Sequence, residues 1–203
     1  MLTIFSGGLF TVLKHGMSGQ PSEQVRDEAV TDLNLSLFSQ HLDEIFELLL
    51  VAFTSVETLS PEDQFLLQSW LQFDERFVEH NRNQSSLKYE RVSAHLRLAK
   101  GLLLLDKPIP SLAHFQSAIE LLELLSDENP TIFSYRLELS DTYQAMGTCL
   151  ELLGRSREAV VALDSAIRTL LDPVIPPQTG QEERLEKLYQ YRDQELLPNG
   201  LVQ

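Results

Sequence analysis

Residues 138–170 read ELSDTYQAMGTCLELLGRSREAVVALDSAIRTL. Gly147 and Gly154 stand seven positions apart, and Ala159 and Ala166 follow at the same interval. Leu163, Ala166, Ile167 and Leu170 recur three or four positions apart, which brings their side chains to one face of a helix. Gly154 breaks the run at a point where glycine supplies the left-handed backbone that closes a helix. Gly147, Ala159 and Ala166 fall inside helices, where small side chains let neighbouring axes approach to the near end of the roughly 8–10 Å range. The stretch therefore reads as two helices folded back on a tight turn and packed through their smallest residues.

The same signature occurs 48 residues earlier. At that shift Ala99 meets Gly147, Leu102 meets Leu150, Leu105 meets Leu153 and Ser111 meets Ala159. Phe115 meets Leu163, Ala118 meets Ala166, Ile119 meets Ile167 and Leu122 meets Leu170. Small aligns with small and large apolar with large in both arms of the hairpin. A shift of 42 extends the series to Ser69 on Ser111, Trp70 on Leu112, Phe73 on Phe115 and Phe77 on Ile119, with Arg76 where Ala118 should be matched.

The rest of the chain is patterned for helices. Leu35, Phe38, Leu42, Ile45, Phe46, Leu49 and Ala52 mark a helix over 33–58. In LSPEDQ, Ser60 is an N-cap, Pro61 suits the first helical position and Asp63 stands in the first turn, opening a helix to about His80. Further helices are predicted over 87–105, 110–126, 131–153, 156–171 and 181–197. DKPIP ends the third, Pro130 opens the fifth, and the three prolines of DPVIPPQTG follow the sixth. Leu185, Leu188, Tyr189 and Leu196 stripe the seventh, whose opposite face is charged. No segment alternates as a strand does. Residues 1–30 read as an N-terminal tail, 31–172 as the helical-repeat domain, and 173–203 as a linker with a C-terminal capping helix.

These residues resemble the tetratricopeptide repeat. The better copy is Tyr143, Gly147, Leu150, Gly154, Ala159, Leu163 and Ala166; the other is His95, Ala99, Leu102, Asp106, Ser111, Phe115 and Ala118. Asp106 replaces the turn glycine, and the 48-residue interval exceeds the family's usual 34. The long period is similar to repeats in the C-terminal arms of bacterial Ser/Thr protein kinases. The resemblance implies an all-α fold of antiparallel hairpins stacked as a short right-handed solenoid, with flanking helices as caps. It also implies a concave groove, lined by the first helix of each hairpin, that takes a peptide or a partner helix. Carried over by position, the groove residues are Ser93, Leu96, Lys100 and Leu103, then Asp141, Gln144, Thr148 and Glu151. Leu96 and Leu103 are either a peptide floor or the seat of the 33–58 helix. Arg97 joins Lys100 as a basic pair that would steer an acidic or amphipathic segment. A detached regulatory arm of a kinase, and a module that self-associates as a homodimer through its groove, are the competing readings.

Composition narrows the function classes. Thirty Asp and Glu against sixteen Lys and Arg leave a net charge of −14, which disfavours nucleic acid and anionic membrane as partners. The partner expected is another protein or peptide. Met1–Leu13 is apolar, but it lacks a preceding base and is shorter than the roughly 20 residues of a spanning helix, so a cytoplasmic location is expected. The single cysteine, Cys149, excludes an internal disulfide and reads as a buried, inert thiol. Among His15, His41, His80, His95 and His114 no two share the spacing of a helical metal site. SSLK at 85–88 lacks the companion motifs of an acyl-transfer enzyme. No catalytic residue, metal or cofactor is expected.

Overall fold

The computed structural model describes residues 23–56, 58–171 and 180–196. The expected tail over 1–22 and the linker over 172–179 lie outside the described residues. The chain is all-α, with no strand among the described residues. Its helices are α1 (Glu23–Thr54), α2 (Pro61–His80), α3 (Lys88–Leu104), α4 (Pro108–Glu128), α5 (Phe133–Leu152), α6 (Ser156–Leu171) and α7 (Gln181–Gln190). A 3-10 turn over Ser85–Leu87 precedes α3, and a wider π turn over Tyr191–Leu196 continues α7.

Several boundaries follow from local chemistry. Ser60 caps α2, with the Asp63 amide donating to Ser60 Oγ at 3.1 Å, and Pro61 occupies the first turn. Pro108 and Pro110 both lie in the first turn of α4, not ahead of it, because the first amides of a helix lack an intrahelical acceptor and none is lost there. Pro130 does not open α5. It sits second in a turn that the Ile132 amide closes onto Asn129 O at 3.0 Å, and α5 begins only at Phe133. Helix α1 starts at Glu23, inside the stretch read as tail.

The two hairpins α3–α4 and α5–α6 repeat in their backbone hydrogen bonds as well as their side chains. At the end of α3 the Lys107 amide donates to Leu102 O (2.9 Å) and the Asp106 amide to Leu103 O (3.0 Å). Forty-eight residues on, Arg155 donates to Leu150 O (2.9 Å) and Gly154 to Glu151 O (2.8 Å). This paired 6→1 and 5→2 closure needs a left-handed residue just past the helix. Gly154 supplies it with φ 71°, and Asp106 with φ 54°; aspartate is among the few side chains that tolerate that region. Asp106 thus replaces the glycine without changing the turn.

Packing follows the chain. Each helix from α2 to α6 packs on the next, while α1 lies mainly on α3 and touches α2 through side chains. Three adjoining apolar clusters form the core. Phe46 and Phe53 of α1 meet Leu67 and Leu71 of α2 and Leu98 and Leu102 of α3. Val92, Ala118, Ile119, Leu122 and Leu139 join α3, α4 and α5. Phe115, Leu150, Ala159, Leu163, Ala166 and Ile167 join the two hairpins, and Leu188 of α7 closes that end. Tyr189 leaves the expected α7 stripe: it is exposed, with the Arg192 guanidinium 5.0 Å from its ring centre. The small positions also let hydroxyls reach main chain across helices. Ser111 Oγ donates to Ala99 O at 2.8 Å and Ser140 Oγ to Ala166 O at 3.1 Å. His95 and His114 lie Nδ1 to Nδ1 at 3.1 Å across the α3–α4 contact. Burial holds His95 down to about 4 and also lowers His114, so one neutral ring donates to the other.

The third copy needs a different register. Phe73 and Ser69, matched at a shift of 42 to the buried Phe115 and Ser111, are exposed. The inward residues of α2 are Leu67, Leu71 and Asp74, which a shift of 44 places on Ser111, Phe115 and Ala118. A buried aspartate thus stands where the other copies carry alanine.

Two glycines on α3 and α5 separate close approach from propensity. A Cβ on Gly101 would lie 2.6 Å from Leu71 Cδ2, whereas one on Gly147 would meet Leu163 Cγ and Ala159 O at an ordinary 3.5 Å. Gly101→Ala is expected to cost about 1–3 kcal/mol through overpacking. Gly147→Ala is expected to be neutral or to stabilise by up to about 1 kcal/mol through helix propensity. Urea melts of the two variants check this; equal effects would contradict the packing assigned to α2 on α3.

Candidate binding groove

Helices α3 and α5 are the first arms of the two hairpins, and a cleft lies between α1, α3 and Glu138 of α5. Asp43, Glu47, Tyr89, Ser93, Leu96, Arg97, Lys100 and Glu138 line it. Helical spacing explains the charged rim. Asp43 and Glu47 lie one turn apart on α1, and Arg97 and Lys100 one turn apart on α3, so two acids face two bases.

Arg97 is not offered to the cleft. Its side chain is 4% exposed. Nε donates to Asp74 Oδ2 at 3.0 Å, Nη2 to Asp74 Oδ1 at 2.6 Å, and Nη1 to Asp43. Asp74 is wholly buried; burial pushes its carboxyl up, and the Arg97 hydrogen bonds and charge oppose that. The bidentate geometry is the strong form of this pair. Lys100 Nζ donates to Glu47 at 2.5 Å on the rim. The expected basic pair is therefore engaged within the chain.

On α5, outside the residues that line the cleft, the C-terminal segment engages acids in a similar way. Arg184 of α7 donates to Asp141 at 2.6 Å, and the Tyr191 hydroxyl donates to Glu151 at 2.6 Å. Gln144 and Thr148 stay exposed on α5 between those contacts, although Thr148 Oγ1 reaches back to Gln144 O at 3.3 Å. Leu96 and Leu103 are half-buried and pack inward on the cluster joining the hairpins. They do not seat α1, whose apolar seat is Leu98 and Leu102. Ser93 is buried.

Glu138 and Tyr89 are cleft residues that the repeat register alone does not single out. The Tyr89 and Tyr135 rings meet at a tilt of 44° with centres 5.8 Å apart, and Tyr89 shares the cleft with Glu138. Burial pushes the Glu138 carboxyl up to about 7; Tyr89 opposes this, Asp43 adds to it, and Lys100 opposes it. Elsewhere, Cys149 is buried and its Sγ donates to Pro108 O at 3.3 Å. Among the described residues no group of three or more His, Cys, Asp or Glu could hold a metal ion, and no helix is long and apolar enough to cross a membrane.

No family model, curated protein or solved structure matches the chain.

The raised Glu138 carboxyl links the groove to stability. The folded state holds this proton up to about pH 7, the unfolded chain only to about its ordinary value of 4.5. The contribution is complete below 4.5 and is lost as pH rises through 7. Glu138→Gln mimics the protonated, uncharged form. It is expected to stabilise the fold by about 1–2 kcal/mol at pH 8 and by nothing measurable near pH 4.5. Taking the difference between variant and parent melts cancels the opposite slope of His95 and His114. A pH-independent difference would contradict the burial assigned to Glu138.

Proposed function

We propose that the chain is a non-catalytic interaction module of tetratricopeptide type, holding a peptide or amphipathic helix along the groove between α3 and α5. The observation that carries this reading is the two hairpins repeated at a 48-residue interval in both side chains and turn hydrogen bonds, whose first helices border an open cleft. The short right-handed solenoid is the stacking this repeat favours. Such stacks bury each unit on its neighbours and leave first-helix side chains for recognition. α1 and α7 then act as the flanking caps.

The ligand chemistry changes from that of a basic groove. Arg97 and Lys100 are already paired with Asp74, Asp43 and Glu47, so attraction of an acidic segment is no longer the basis of recognition. Gln144 and Thr148 provide hydrogen-bonding positions, and Leu96 with Tyr89 provides apolar contact. A segment alternating polar and apolar groups matches that floor, and modest dependence of its affinity on salt follows.

Peptides selected from a random display library on the intact chain test this reading. Combining Gln144→Arg with Thr148→Arg is expected to weaken the selected peptides about tenfold or more. Both sites are exposed, so the melting temperature should move little. Val161→Glu, on the outer face of α6, is expected to leave binding unchanged. Loss of binding in the Val161 variant, with the groove variant unaffected, would place recognition on the opposite surface.

A further inference from the structure

The outward face of the α1–α2 hairpin lies apart from the groove. Nine of the sixteen large apolar side chains exposed among the described residues fall between Leu37 and Phe73. Helix α1 is apolar on two faces. Phe46 and Phe53 point into the core, while Leu48 and Val51 stand on the opposite side and Phe38 and Ile45 on the flank between, Leu48 at 72% exposure. Phe38 meets Phe73 of α2 edge to face, with ring centres 6.1 Å apart, so the two helices share one continuous apolar surface. A terminal unit of a stacked array normally turns a polar face outward.

The size of this surface approaches that of an interface. Phe38, Phe65 and Phe73 are 52, 73 and 45% exposed. At roughly 150–250 Å² for each ring, they alone present about 300 Å², the lower end for the largest patch on a monomer. Ile45, Leu48 and Val51 extend it toward the roughly 800 Å² per partner of a standard complex.

We propose that this face is a homodimer interface in which α1 packs antiparallel on α1 of a second copy. The arrangement is self-complementary, as a two-fold contact must be. With the axis between Phe46 and Glu47, Ile45 of one copy meets Leu48 of the other, His41 meets Ala52, and Phe38 meets Ser55. The central pair is large on large, and each flanking pair sets a bulky side chain against a small one, so the helices can approach without voids. The charge of −14 repels an anionic membrane. It also repels a second copy at long range, so the dimer is held by apolar burial and tightens as salt screens that repulsion.

Sedimentation velocity on the full chain reads the outcome. The parent is expected at twice its 23.1 kDa mass, with a dissociation constant that falls as salt rises. Leu48→Glu is expected to weaken the dimer about a hundredfold or more with unchanged helical circular dichroism, and Phe65→Ser to weaken it less. Val161→Glu should leave the dimer intact. The register has its own test: a mixture of Ile45→Cys and Leu48→Cys chains should oxidise to the mixed disulfide in preference to either like pair, the native Cys149 being buried. A parent that stays monomeric at high micromolar concentration and all salts, or a dimer indifferent to both Leu48→Glu and Phe65→Ser, would overturn the proposal. So would a monomer that binds uncharged lipid vesicles through Leu48.

Discussion

The placement of the N-terminal helices depends on one buried ion pair. Asp74 on α2 is sealed from solvent and meets the guanidinium of Arg97 on α3 through two hydrogen bonds of 3.0 and 2.6 Å. Removing two charges from water costs several kcal/mol each, and only good geometry with full hydrogen bonding offsets that. The third nitrogen of Arg97 reaches Asp43 of α1, so a single side chain specifies how three helices meet. α2 therefore cannot slide along α3 without stranding the buried Asp74 carboxylate, and α1 cannot do so without giving up the bond from Arg97 to the partly exposed Asp43. Hydrophobic burial by Phe46, Leu67 and Leu71 supplies attraction here, but apolar contact alone permits many registers.

That pair also shapes the groove. An arginine that would have been the strongest cation on the α3 face is turned inward, and Glu47 holds the lysine one turn on. At the far side Arg184 and Tyr191 engage Asp141 and Glu151. The flanking helices thus neutralise charged positions of the first arms, leaving Tyr89 and Glu138 in the cleft and Gln144 and Thr148 exposed on α5. The repeated turn keeps the two first arms comparable. Asp106 and Gly154 close α3 and α5 with the same hydrogen bonds, so equivalent positions of the two arms start from equivalent geometry.

Much of this architecture is legible in the sequence, for reasons that differ by element. The two hairpins at a 48-residue shift are readable because large and small apolar residues recur and the core requires both. Ser60, Pro61 and Gly154 are readable because caps and turns are local chemistry. The α2 register is not: the alanine position holds Asp74, and its partner Arg97 is 23 residues away, so no local pattern announces a buried charge. Phe73 outweighs Leu71 in an apolar alignment although it faces outward. Pro130 misleads because proline serves the second position of a turn as well as the start of a helix. In the groove, exposed Gln144 and Thr148 follow from the repeat register, whereas the burial of Arg97 and the raised Glu138 carboxyl depend on helices distant in sequence. The opposed i,i+4 acids of α1 and i,i+3 bases of α3 are the one signal that pairs them beforehand.

A double-mutant cycle on Asp74 and Arg97, read by urea unfolding at neutral pH, tests the account most directly. Arg97→Met should destabilise by about 3–5 kcal/mol, because it leaves the Asp74 carboxylate buried and unpaired, and Asp74→Leu by less, because Arg97 keeps its bond to Asp43. The double variant should cost far less than the two added together, with a coupling of about 2–3 kcal/mol. Additive losses, or single variants within about 0.5 kcal/mol of the parent, would mean that this pair does not hold α1 and α2 on the repeat.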